Sequence, residues 1–138
     1  MIATMRRFRI IFLLAVLFTA GCAKRVRFEP LPLARGAKAT GRVELTYDQN
    51  NTLDVRMENL PDPSSLNPQY SRYVLWVSTP DRQHIVNAGQ MRVDETNKAQ
   101  IKSLTPFREF ILFITAESRG DAQAPGPDVV FQSGNIQW

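Results

Sequence analysis

Between residues 43 and 57, apolar and polar side chains alternate with period two. Val43, Leu45 and Tyr47 alternate with Glu44 and Thr46, then Leu53, Val55 and Met57 alternate with Asp54 and Arg56. This period places the apolar set on one face of a strand. Asp48-Gln49-Asn50-Asn51, between the two runs, supplies residues that tolerate turn geometry, so the pair predicts a hairpin. Further strands are predicted at 73–79, 84–87, 91–94, 99–103, 109–117 and 129–132, with breaks at Leu60-Pro61-Asp62-Pro63, Asn87-Ala88-Gly89, Thr105-Pro106 and Gly120–Pro127. No segment sustains a helical period. Short strands at roughly ten-residue spacing predict an all-β fold, a small antiparallel immunoglobulin-like sandwich of about seven to eight strands.

Two of these strands, Tyr73-Val74-Leu75-Trp76-Val77 and Phe110-Ile111-Leu112-Phe113-Ile114, are apolar on both faces and read as central. Glu117 shares parity with Ile111, Phe113 and Thr115, which turns Phe110, Leu112 and Ile114 toward the core. In the companion strand Val74 and Trp76 are assigned to the core, and Tyr73, Leu75 and Val77 outward. If the strands are neighbours, Leu75, Val77, Ile111 and Phe113 form an apolar patch that either seats a protein partner or lies under a loop or the tether.

The pattern differs at the start of the chain. Arg6, Arg7 and Arg9 precede an unbroken apolar run from Ile10 to Phe18, the order of an export signal. The stretch Ile10–Ala20 is 11 residues, against about 20 for a helix that spans a bilayer. It therefore predicts a transient signal helix. Thr19-Ala20-Gly21-Cys22 resembles the lipobox of bacterial lipoproteins, although Thr19 stands where leucine is usual. That resemblance implies cleavage between Gly21 and Cys22, with residues 1–21 removed and Cys22 diacylated. Two or three acyl chains hold a protein at a membrane effectively permanently. Cys22 is the only cysteine, so its acylation leaves no thiol for a disulfide, a metal or catalysis.

Residues 22–39 contain Pro30, Pro32 and Gly36 and show little periodicity. They predict an extended tether of roughly 20 to 25 Å, followed by the β domain at 40–138. The formal charge of +4 falls to +1 when Arg6, Arg7 and Arg9 leave, with 14 basic against 13 acidic residues. Lys24, Arg25, Arg27, Arg35, Lys38 and Arg42 are segregated with Glu29 as the lone acid, whereas residues 43–138 carry 8 basic and 12 acidic residues. Basic residues beside an anchored lipid suit anionic headgroups, at about 1 kcal/mol each near the surface; a solvated linker accounts for them equally. The pattern argues against nucleic acid as a partner, which would place the basic residues on the folded domain.

The order of the Leu60-Pro61 turn, Tyr73–Val77, Ala88-Gly89 and Phe110–Glu117, continuing through Pro125-Gly126-Pro127 to Val129–Gly134, resembles the extracytoplasmic domain of anti-sigma-K-type factors over residues 40–134. The resemblance implies a small all-β module. The sigma-binding helical domain and transmembrane helix of that family have no counterpart here, so it implies nothing about sigma-factor binding.

Catalytic chemistry finds little support. His84 is the only histidine, and no Gly-x-Ser-x-Gly nucleophile elbow accompanies it. Asp94 and Glu95 are neighbours on a strand and point to opposite faces, so they cannot act as a pair. The run Asp48–Asp54 resembles a calcium loop but has Leu53 and Asn59 where the glycine and the final glutamate belong. Tyr47, Tyr70, Tyr73, Trp76 and Trp138 are the rings available to a glycan platform. The expectation is a non-enzymatic module without cofactor or metal. It is anchored in the bacterial envelope by lipid on Cys22 and binds or stabilises another envelope component; carbohydrate binding is the alternative. Ala23, after the cysteine, favours delivery to an outer membrane where the cell has one.

Overall fold

The computed structural model describes residues 22–138; residues 1–21, on which the expected signal helix and Gly21 of the expected cleavage bond fall, lie outside them. Nine strands are present among the described residues: β1 (Ala23–Pro30), β2 (Lys38–Leu45), β3 (Asn51–Glu58), β4 (Arg72–Ser78), β5 (Ile85–Met91), β6 (Ala99–Thr105), β7 (Glu109–Glu117), β8 (Val129–Ser133) and β9 (Ile136–Gln137). One turn of α-helix, α1 (Pro63–Leu66), starts at Asp62, whose carboxylate accepts from Ser64 N at 2.9 Å, and a 3-10 turn covers Pro32–Ala34. The all-β, antiparallel expectation is met.

The strands form one continuous path, β5-β4-β7-β8-β1-β2-β3-β6, with β9 attached to β7. β1 makes it continuous by dividing its ladder: residues 23–27 pair with β2 and residues 28–30 with β8. The outermost strands approach at Gly89, where an added Cβ would come within 2.5 Å of Ile101 Cδ1, so the sheet curls almost into a closed barrel. Gly89 has φ +133°, and it stands where the β4–β5 register shifts between Leu75 and Trp76. A glycine is required there by both the backbone and the close approach.

Three expectations are corrected. Residues 22–39 are not a tether, because β1 lies in the middle of the sheet with Val26 and Phe28 in the core. Its inward residues alternate with Arg25, Arg27 and Glu29, and the period-two signal is visible once Pro30 is read as the end of the strand. The break at Asn87-Ala88-Gly89 is not a turn; one bulged strand, β5, runs through it.

The third correction concerns the proposed patch. Leu75 pairs with Ile114 and Val77 with Leu112, so both face the main core beside Phe110, and both are buried. Parity in β4 is the reverse of the expected one. Arg72 carried the correct signal, since it shares a face with Val74 and Trp76. Phe113 does face away from the main core, as expected, but it is buried with Val74 and Trp76 in a second cluster. Leu75, Val77, Ile111 and Phe113 therefore form no common surface.

That second cluster is roofed by the segment between β7 and β8. Ala122 and Val129 pack on it, and Asn87 Nδ2 donates to the carbonyls of Gly120 and Ala122 at 3.0 Å each. Trp76 and Phe113 lie nearly parallel, 6.4 Å apart, with the Arg82 guanidinium 5.1 Å from the Phe113 ring. Trp76 Nε1 donates to Thr115 Oγ1 at 2.8 Å, Thr115 donates to Glu117 Oε1 at 2.6 Å, and Gly126 N donates to the same oxygen at 2.6 Å. The polar atoms under the roof are thereby paired.

Candidate functional site

Cys22 is exposed and immediately precedes β1. Ala23 pairs with Glu44, so continuing the register by one residue sets Cys22 opposite Leu45, at the tip of the β2–β3 hairpin. The next ladder outward brings Leu104 opposite Thr52, itself opposite Glu44. Cys22, the hairpin and the end of β6 thus occupy one end of the barrel.

The tip is tightly built. Thr46 N and Oγ1 both donate to Asn50 O at 2.8 Å, and Asp48 accepts from Asn50 N at 3.3 Å and Asn50 Nδ2 at 3.0 Å. Hydrogen bonds from Thr46 and Asn50 outweigh desolvation and hold the Asp48 carboxyl below its ordinary range. Asp48–Asp54 accordingly divides into a turn and the strand β3, not a cation loop. The C-terminal residues tie to this end: Lys24 Nζ donates to Gln137 O and lies 4.8 Å from the Trp138 ring, Trp138 N donates to Arg108 O at 3.2 Å, and Arg108 donates to Gln49 Oε1.

Next to this end lies the outer face of β1, β2, β3 and β6. Successive rows across it are Ala23, Glu44, Thr52 and Leu104; Arg25, Arg42, Asp54 and Lys102; and Arg27, Thr40, Arg56 and Gln100. A broad depression there is lined by Arg42, Glu44, Thr52, Asp54, Lys102 and Ser103 among others. Arg42 pairs with Glu44 and Arg56 with Asp54 at 3.3 Å. Desolvation acts to raise the Asp54 pKa, but hydrogen bonds from Gln100 and Arg56 and the charges of Arg56 and Lys102 hold it low. Arg25, Arg27 and Lys102 form no ion pair among the described residues, so the face presents net positive charge to an anionic ligand.

Of the rings considered for a glycan platform, Tyr73 and Trp76 are wholly buried, Tyr70 donates to Asp128, and Trp138 packs against the core, which leaves Tyr47 alone fully exposed. His84, Asp94 and Glu95 are exposed and sit in two separate turns. The exposed apolar residues at the Cys22 end were not legible as a group. Leu104 lies one residue past the predicted sixth-strand boundary, and its even parity with Gln100 and Lys102 was the signal available. Comparison with protein-family models, with curated proteins and with solved structures returns no match to this chain.

Proposed function

We propose that this protein is an extracytoplasmic lipoprotein, held by acyl chains on Cys22, whose β domain is a non-enzymatic binding or scaffold module for another envelope component. The observation that carries the reading is the meeting of two boundaries: the apolar run and Thr19-Ala20-Gly21 end at an exposed cysteine, and the sheet begins at the next residue. Delivery is to the outer membrane, facing the periplasm, where the cell has one.

The partner chemistry follows from the cationic outer face, not from an apolar patch. Arg25 and Arg27 on β1 and Lys102 on β6 flank the ion-paired Arg42 and Arg56, and guanidinium groups in rows suit carboxylate or phosphate groups. Cell fractionation followed by crosslinking tests the reading. The wild-type chain is expected in the membrane fraction, released only by detergent, and a photo-crosslinker at Arg27 is expected to capture an envelope component that is lost on Arg56→Glu. Recovery of the mature chain from the soluble fraction would contradict the anchor.

A further inference from the structure

Five large apolar side chains are exposed among the described residues: Leu33, Leu45, Tyr47, Val86 and Leu104. Three of them, Leu45, Tyr47 and Leu104, lie at the end of the barrel where Cys22 emerges. Tyr47 is fully exposed at the hairpin tip, Leu104 is 60% exposed and Leu45 36%. We propose that this end is a bilayer seat, in which Tyr47, Leu45 and Leu104 enter the headgroup region of the membrane that holds the acyl chains. The proposal rests on the lipid-anchor reading and adds the orientation of the domain to it.

The geometry is restrictive because no spacer separates the anchor from the fold. Neighbouring strands stand about 4.8 Å apart, so Cys22 lies roughly 5 Å from the Leu45 backbone and roughly 15 Å from that of Leu104. A cysteine whose acyl chains enter the bilayer brings the hairpin tip to the interface with it. Tyrosine is enriched at that depth, with its ring in the apolar boundary and its hydroxyl in water, and leucine gains by leaving water altogether.

Charge supports the same orientation. Lys24 and Arg108 stand at this end, and Arg25 and Lys102 lie about two residues, or roughly 7 Å, further up the outer face, within reach of anionic headgroups. Of the carboxylates nearby, Glu44 is ion-paired with Arg42, whereas Asp48 accepts within its turn and Glu109 accepts from the neutral amide Asn135 Nδ2 at 2.6 Å, so these four cations stand against two carboxylates without an ion pair among the described residues. Seated in this way, the outer face with Arg27 and Arg56 stands up from the membrane and stays open to a partner.

Leu33 supplies the internal control, since it too is exposed, at 43% between Leu45 and Leu104, but follows β1 at the opposite end of the barrel. Full-length Tyr47→Cys and Leu33→Cys would be purified in detergent, labelled with a nitrobenzoxadiazole maleimide and reconstituted into phosphatidylethanolamine–phosphatidylglycerol vesicles. The vesicles would be prepared with and without a lipid carrying a shallow nitroxide quencher. Wild type is treated with the same reagent. The expected result is no label on wild type and quenching at position 47 several-fold stronger than at position 33. Label on wild type means that Cys22 is a free thiol, and the anchor reading falls together with the seat. An unlabelled wild type with equal quenching at both positions overturns the seat alone. So does a blue-shifted probe at 47 that lipid does not quench, which would indicate a second copy or another protein at the tip.

Discussion

Ala23 pairs with Glu44 in the β1–β2 ladder, so the residue after Cys22 is already part of the sheet. The segment expected to hold the domain away from its anchor is a central strand. Removing residues 22–39 is therefore predicted to abolish folding, because β8 and β2 lose the strand between them and Val26 and Phe28 leave the core. A chain starting at Ala23 should show a strand-type circular dichroism spectrum and a cooperative melt, and one starting at Thr40 should show neither.

Phe113→Ala is predicted to cost about 3 to 5 kcal/mol, the range for a large core truncation. Its ring is 2% exposed, stacked on Trp76 under the β7–β8 segment. Urea denaturation measures the cost; a loss under about 1 kcal/mol would mean that the roof does not cover the ring in solution.

The contrast between these two predictions shows where the sequence was legible. Alternation in 43–57 and 99–103 identified β2, β3 and β6 because one face of each meets water and carries Glu44, Asp54, Arg56 or Lys102. In β4, Tyr73 to Val77 is apolar on both faces, and period two cannot say which face meets the main core; only the cross-strand register does. The Cys22 end was half legible: the cysteine and its preceding residues could be read, but the neighbours that Leu45 and Leu104 provide depend on long-range pairing.

Thr115→Val should destabilise the domain by about 1 to 3 kcal/mol, because the buried Trp76 Nε1 loses its acceptor. Thr115→Ser, which keeps the hydroxyl, should retain most of the stability. Equal losses in urea denaturation would assign the effect to the methyl group instead.

Gly89→Ala combines a positive φ with a clash against Ile101 Cδ1, and should lower the melting temperature clearly. Adding Ile101→Ala relieves the contact but not the backbone. The double variant should therefore lose less than the sum of the single losses, and additivity would contradict the close approach of β5 to β6.

Stability should fall at both ends of the pH range. Asp81 and Asp94 have carboxyls below their ordinary 3.8, Asp81 chiefly through the Thr79 hydroxyl and Asp94 chiefly through Lys98 N. Their folded pKa values are depressed, so the contribution is present above 3.8 and is lost as pH falls through the lower folded values. Tyr73 behaves in the opposite sense. Burial, then the Asp62 charge, raises its pKa above 10.0, and its hydroxyl donates to Pro61 O at 2.7 Å. That contribution is present below 10.0 and is lost as pH rises toward the folded value. Melting temperatures across pH should form a plateau that drops below about 4 and above about 10.

The central claim is that Cys22 carries lipid at the edge of the folded domain, and metabolic labelling with a fatty acid tests it most directly. Wild type should incorporate the label into the mature-size band, and Cys22→Ser should incorporate none. Label that persists in Cys22→Ser, or its absence from wild type, would contradict the account.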